Sequence, residues 1–152
     1  MNEIKKLSSS QEDYLEAILI LEQENRVARV KDISSMLSVQ MPSVTGALKN
    51  LSQQKLINYE KNSFITLTPE GKKIAECVYS RHNIILSFFT EILGIEGKWV
   101  ETQACTMEHS INHETANRLA GLTDWIKKTA FSEQNLKKEE WIDILKSRNI
   151  SH

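Results

Sequence analysis

Apolar residues in the first third of the chain recur at helical spacing. Tyr14, Leu15, Ile18, Leu19 and Leu21 share one face. Ser9 or Ser10 can cap the helix, with Glu12 or Asp13 at the third position, so a first helix is expected to run to about Gln23. Residues 25–30 read as a short turn and an extended stretch. A second helix is expected over about 31–37, with Ile33, Met36 and Leu37 inward. Residues 38–41 make a tight turn, and Pro42 suits the first turn of a third helix because its missing N–H has no partner to lose there. That helix places Val44, Leu48 and Leu51 at i, i+4 and i+7. Gly46 inside it costs about 1 kcal/mol relative to Ala, which suggests close approach to another surface.

The period then changes from helix to strand. Residues 56–60 and 64–67 read as two strands with Asn62 and Ser63 at the turn. Thr68, Pro69 and Glu70 open a long helix reaching about Leu93, with Gly94 as its stop. Helix, turn, helix and hairpin in this order predict a winged helix-turn-helix rather than a generic α+β domain. Further helices are expected over about 98–111, 114–128 and 136–148. Leu119, Leu122, Trp125 and Ile126 stripe the second of these, and Trp141, Ile142 and Leu145 the third. The expected fold is mainly α with a small β-hairpin wing. A DNA-binding domain over 1–74 precedes a helical domain over 75–152, whose apolar surface exceeds what one copy can hide, so a homodimer is expected.

Composition narrows the class. The 152 residues are 40% hydrophobic and 26% charged, ordinary for a globular chain. No apolar run is long enough to span a bilayer and the N-terminus lacks a signal-peptide core, so a cytoplasmic location without membrane contact is expected. Cys77 and Cys105 make no disulfide framework. Cys77 is expected to be a small buried apolar residue. The net charge of −1 conceals a pattern: residues 1–25 carry −4, 26–81 carry +5 and 82–152 carry −2. A basic middle suits phosphate contact, and the acidic flanks suit a cation.

Six side chains outside the helix-turn-helix have metal-ligand chemistry. Asp13 and Glu16 are three apart on one helix, so their carboxylates face one way. Cys105, Glu108 and His109 have spacings of three and four, and His82 comes from the helix before them. Singly, each has an ordinary role: a helix-dipole partner for Asp13, a solvated face for Glu16, a satisfied core or surface histidine for His82, a small buried residue for Cys105. Together they suit a divalent transition metal. Oxygen and imidazole donors with one thiolate favour Mn²⁺ or Fe²⁺ over a cysteine-rich structural zinc site, and Zn²⁺ or Co²⁺ would bind as well. On the third helix, Gln40, Pro42, Ser43, Thr45 and Gly46 lead. Gln40 and Ser43 can reach base edges and Pro42 a thymine methyl, while Thr45 and Lys49 suit phosphates.

The stretches SQEDYLEAI (10–18), MPSVTGALKNL (41–51), LTPEGKKIA (67–75), YSRH (79–82) and ACTMEHSI (104–111) together resemble the diphtheria-toxin-repressor and manganese-transport-regulator family. The resemblance implies a winged helix-turn-helix, a helical dimerisation domain and a corepressor ion bound between them. It implies double-stranded operator DNA as partner, with Lys61 in the wing near the DNA backbone or minor groove. Asp13 and Glu16 match the acidic pair of the manganese branch and Cys105 the iron branch, whereas His82, Glu108 and His109 match both. Leu86 and Glu101 depart from the iron branch at its second metal site. The function expected is a metal-dependent repressor and not an enzyme. The alternatives are a regulator answering an organic ligand or oxidant through Cys105, or a metal-dependent hydrolase, although no glycine-rich phosphate loop or nucleophile elbow is present.

Overall fold

The structure, a computed structural model, describes residues 7–25, 27–60 and 63–147. It divides into two compact units, 1–79 and 80–152. The first contains α1 (Ser9–Asn25), α2 (Val30–Leu37), α3 (Met41–Gln53) and the antiparallel strands β1 (Ile57–Asn58) and β2 (Thr66–Leu67). The division falls inside the next helix, α4 (Pro69–Ser87). The second unit continues with α5 (Lys98–Glu108), α6 (His113–Ile126) and α7 (Lys138–Lys146).

Local chemistry sets the boundaries of the first unit. α1 is capped one residue earlier than expected: the Gln11 N–H donates to Ser8 Oγ at 3.3 Å, and the Ser8 N–H donates to Gln11 Oε1 at 3.0 Å. This reciprocal box uses Ser8 and Gln11 instead of Ser9 or Ser10 with an acid. α2 ends at Ser38, whose left-handed φ of 55° turns the chain, and the Ser34 hydroxyl donates to the Val39 carbonyl at 2.6 Å. α3 starts beyond Gln40 with Pro42 in its first turn. The ladder is short, Ile57 with Leu67 and Asn58 with Thr66, and an Ala28–Ile65 bridge extends the hairpin.

Thr68 starts α4. Its Oγ1 accepts from the Gly71 N–H at 3.1 Å and donates to the Lys55 carbonyl at 2.8 Å. A Cβ on Gly71 would lie 1.9 Å from the Leu56 carbonyl oxygen, so this position admits only glycine without backbone movement.

The interior of the first unit is aliphatic. Leu15, Ile18, Ile33, Val44, Leu48, Leu51 and Ile65 are fully buried in one cluster. Met36 is exposed rather than inward, because the eight-residue α2 offers a single buried position, Ile33. Cys77 is exposed rather than buried. The inward positions of that helix are Gly71, Ala75 and Val78, and Cys77 falls outside their i, i+4, i+7 series.

In the second unit, α4 continues as a π turn over Phe88–Ile92, and Gly94 at φ 62° ends the run. Ile85, Phe89, Val100 and Ala104 form a smaller apolar cluster, flanked by Leu86, Phe88, Leu93, Ile95, Ile111 and Leu119. α6 is capped by Asn112, whose Oδ1 accepts from the Thr115 N–H at 2.8 Å, and it also runs on as a π turn, Lys127–Glu133. α7 anchors through Trp141, whose indole N–H donates to the Ile92 carbonyl at 2.7 Å. Only part of the expected α6 stripe is inward: Ile126 is buried, while Leu122 and Trp125 are 45% and 63% exposed. Trp99 on α5 is exposed as well. Among the described residues, no helix is long and apolar enough to cross a membrane.

Candidate metal centre and DNA-reading helix

In the second unit, His82 projects from α4, and Cys105 and Glu108 from α5, with His109 at its C-terminal cap. Cys105, Glu108 and His109 each offer a ligand atom within 4.8 Å of the others. Glu108 is fully buried. Its Oε2 lies 2.6 Å from His82 Nδ1, and its Oε1 lies 3.4 Å from His109 Nε2.

A carboxylate is costly to bury and requires compensation at both oxygens. Two imidazoles supply charge compensation only if protonated. Even so, Oε1 accepts no hydrogen bond among the described residues. The unused lone pair on Glu108 Oε1, with a thiol and two imidazoles around it, fits a divalent cation. Outside the predicted set, Glu101 places Oε2 3.2 Å from His82 Nε2. Sequence reasoning had noted Glu101 only as a departure from a family pattern. Its position one turn before Cys105, on the same helix face, is the signal that could have found this contact.

Asp13 and Glu16 belong to the first unit, where α1 carries them three residues apart. Glu16 is buried and Asp13 half-buried. Burial, and secondarily the Asp13 charge, raises the neighbouring Tyr14 hydroxyl above its ordinary pKa. The opposite side of α1 contributes Leu15, Ile18 and Leu19 to the cluster that holds Val44, Leu48 and Leu51 of α3. Gln11 Nε2 also donates to Asn50 Oδ1 of α3 at 3.1 Å. α1 is therefore one packed piece with the third helix.

On α3, Gln40, Pro42, Ser43, Gly46 and Lys49 are exposed. Among the described residues, the space beside Gly46 is open, with no atom outside its own helix backbone within 4 Å of a notional Cβ. Thr45 is half-buried and its hydroxyl donates to the Met41 carbonyl at 3.0 Å. A hydroxyl rotates about its C–O bond, so the same group can turn its proton to an incoming acceptor. Lys61 lies outside the described residues. A cleft beside Thr45 is lined by Arg29, Lys31, Met41, Tyr59 and Phe64, and the Arg29 guanidinium sits 5.1 Å from the Phe64 ring centroid. Sequence reasoning passed over these two cations, although the short basic run before α2 was visible.

A winged helix-turn-helix followed by a helical unit with a buried carboxylate among imidazoles and a thiol defines a class: DNA-binding regulators that respond to a metal. Comparison gives the family. Residues 6–64 match the iron-dependent repressor N-terminal DNA-binding domain, and residues 68–131 match the iron-dependent repressor metal-binding and dimerisation domain. An uncharacterized HTH-type transcriptional regulator of Methanocaldococcus jannaschii is 34% identical over 114 residues, covering 74% of this chain and 91% of the relative. Among solved structures, the manganese regulator SloR is 26% identical with a TM-score of 0.67, over 76% of this chain and 54% of its own. ScaR with bound Zn²⁺ is 29% identical with a TM-score of 0.61, over the same shares. IdeR of T. acidophilum, at 24% identity and a TM-score of 0.66, shares the fold over 84% of this chain and 56% of its own.

The chain belongs to the iron-dependent repressor family, whose members are metal-dependent transcriptional repressors of the diphtheria-toxin-repressor and manganese-transport-regulator type, and not enzymes. It spans a little over half the length of these three solved regulators.

Proposed function

We propose that this chain, in the cytoplasm, represses transcription as a homodimer on palindromic double-stranded operator DNA when Mn²⁺ or Fe²⁺ is held by Asp13, Glu16, His82, Cys105, Glu108 and His109. The observation that carries this reading is Glu108: fully buried, with one oxygen on His82 and the other accepting no hydrogen bond among the described residues. The mixed donor set, with a single thiolate, suits Mn²⁺ or Fe²⁺, and Zn²⁺ or Co²⁺ would enter the same site.

When bound, the cation supplies the positive charge that lets the clustered carboxylates coexist. The protein does the rest. Asp13 and Glu16 face one way from α1, and the other face of α1 is fixed to α3 by Leu15, Ile18 and the Gln11–Asn50 hydrogen bond. Restraining the acidic face of α1 therefore restrains the reading helix. The exposed Leu122, Trp125 and Trp99 favour the dimer, which sets two reading helices about 34 Å apart, one turn of DNA. Gln40 and Ser43 meet base edges, Pro42 a thymine methyl, and Gly46 leaves room for the groove wall. Thr45 holds a phosphate. Lys49 and Lys61 contact the backbone, joined by Arg29 and Lys31. With no bidentate arginine on α3, part of the discrimination comes from DNA shape.

A gel shift on operator fragments, with Mn²⁺ or with chelator, tests the reading. Retardation is expected only with metal, falling steeply as salt rises. The double variant Asp13→Ala/Glu108→Ala is expected to stay dimeric and lose the metal response. Retardation of the double variant that still requires metal overturns the ligand assignment.

A further inference from the structure

We infer that Glu101 is a positioning residue for the metal centre, its carboxylate holding the Nε2–H of His82 so that Nδ1 is aimed at Glu108 and at a cation bound there. This rests on the reading of the centre given above. Both ring nitrogens of His82 face carboxylates: Nδ1 lies 2.6 Å from Glu108 Oε2 and Nε2 lies 3.2 Å from Glu101 Oε2. The two nitrogens of an imidazole point away from each other. A group on Nε2 therefore sits on the far side of the ring from Glu108, where it cannot share Glu108's ion through that nitrogen.

The two carboxylates also differ in setting. Glu108 is fully buried, while the Glu101 side chain is 64% exposed. A buried carboxylate with unused lone pairs suits direct ligation. An exposed one at the back of the ring suits orientation. Metal-binding histidines commonly donate their second N–H to a carboxylate, which fixes the ring and raises its basicity.

A second ion bound through Glu101 is the competing use, and the surroundings disfavour it. Among the described residues, no cluster of three metal-type donors includes Glu101. Leu86, one turn beyond His82 on α4, packs against the apolar cluster and contributes no donor. Glu101 also continues the donor stripe of α5, four residues before Cys105 and seven before Glu108. The helix that carries the buried ligands thus carries their outer support in the same register.

The test compares wild type, Glu101→Ala and Glu101→Gln by two measurements. Imidazole ¹⁵N–¹H spectra of the metal-free protein report whether Nε2 of His82 carries a hydrogen-bonded proton. Calorimetric titration with Mn²⁺ reports affinity and stoichiometry. Glu101→Ala is expected to lose the Nε2–H signal and to weaken Mn²⁺ binding about tenfold at unchanged stoichiometry. Glu101→Gln, whose amide oxygen also accepts, is expected to restore the signal and most of the affinity.

An unchanged Nε2–H signal in Glu101→Ala, or an affinity within twofold of wild type, overturns the inference alone. So does a Glu101→Gln variant that loses as much affinity as Glu101→Ala, or any variant that loses an ion from the stoichiometry. Both results point to direct ligation. A wild-type protein that shows the Nε2–H contact yet takes up no Mn²⁺ overturns the metal-centre reading itself, and this inference with it.

Discussion

The two units bury different chemistry. The first closes around aliphatic side chains: Leu15 and Ile18 of α1, Ile33 of α2, Val44, Leu48 and Leu51 of α3, and Ile65 beside the hairpin; its buried carboxylate, Glu16, keeps 9% exposure where Glu108 keeps none. The second has a smaller apolar cluster and places a whole carboxylate, Glu108, out of water beside it. It also leaves Trp99, Leu122 and Trp125 exposed. The difference teaches where stability is unconditional and where it depends on a ligand. An aliphatic interior is favourable in any solution. A buried carboxylate with an unused oxygen is favourable only when something charged answers it. The reading unit is built to hold its shape, and the responding unit to gain from binding.

The largest effect that could break this contrast is a cavity in the first unit. Leu48 is fully buried on the inner face of α3. Leu48→Ala is expected to cost about 2–5 kcal/mol, measured by urea denaturation of the full chain, and to weaken operator binding as α3 loosens. A cost below about 1 kcal/mol would show that the reading unit does not depend on its aliphatic interior, and the contrast would fail.

The next effect sharpens the other side. Mn²⁺ at a free concentration one hundred times its Kd should stabilise the wild-type protein by about 2.7 kcal/mol. Glu108→Ala is expected to remove that increment, as read from the denaturation midpoint with and without Mn²⁺. A variant that still gains the full increment would place the ion elsewhere.

The same division governs what could be read from sequence. Features fixed by local chemistry were legible: the turn that begins at Ser38, Pro42 at the start of α3, the Val44–Leu48–Leu51 face and the stop at Gly94. The family-matched pattern, with its DNA-binding and metal-binding segments, was legible for the same reason, since each motif is short and local. The α6 stripe was expected to exceed what one copy can hide, and the exposure of Leu122 and Trp125 agrees with that. The misses lie elsewhere. Cys77 is one position out of phase with Gly71, Ala75 and Val78, a shift that residue type alone hides. The π turns after Ser87 and Ile126 lie in segments whose composition is that of an ordinary helix. Glu101 reads as one more surface glutamate until the ring of His82 is seen beside it.

The smallest effect concerns a polar tie at the surface of the second unit, where the π turn after α4 meets the one after α6. The Lys127 ammonium donates to Glu91 Oε2, and the Ser87 hydroxyl donates to Glu91 Oε1 at 2.6 Å. The lysine first, then the serine, hold the Glu91 carboxyl below its ordinary pKa, and Glu91 in turn raises Lys127. A depressed carboxyl contributes stability that is present above the ordinary carboxylate range and is lost as pH falls through the lowered folded value. For the raised lysine, the contribution is present below the ordinary lysine range and is lost as pH rises through its raised value. Both side chains are over 40% exposed, so solvent screening keeps the pair below about 1 kcal/mol. Lys127→Ala is therefore expected to cost no more than that at neutral pH, and the gap to wild type should close in acid once Glu91 is protonated. A gap that persists undiminished in acid would assign the lysine's contribution to packing of its stem. The second unit would then hold its two π turns together by apolar contact, as the first unit holds its helices, and the contrast between the units would narrow to Glu108 and its neighbours.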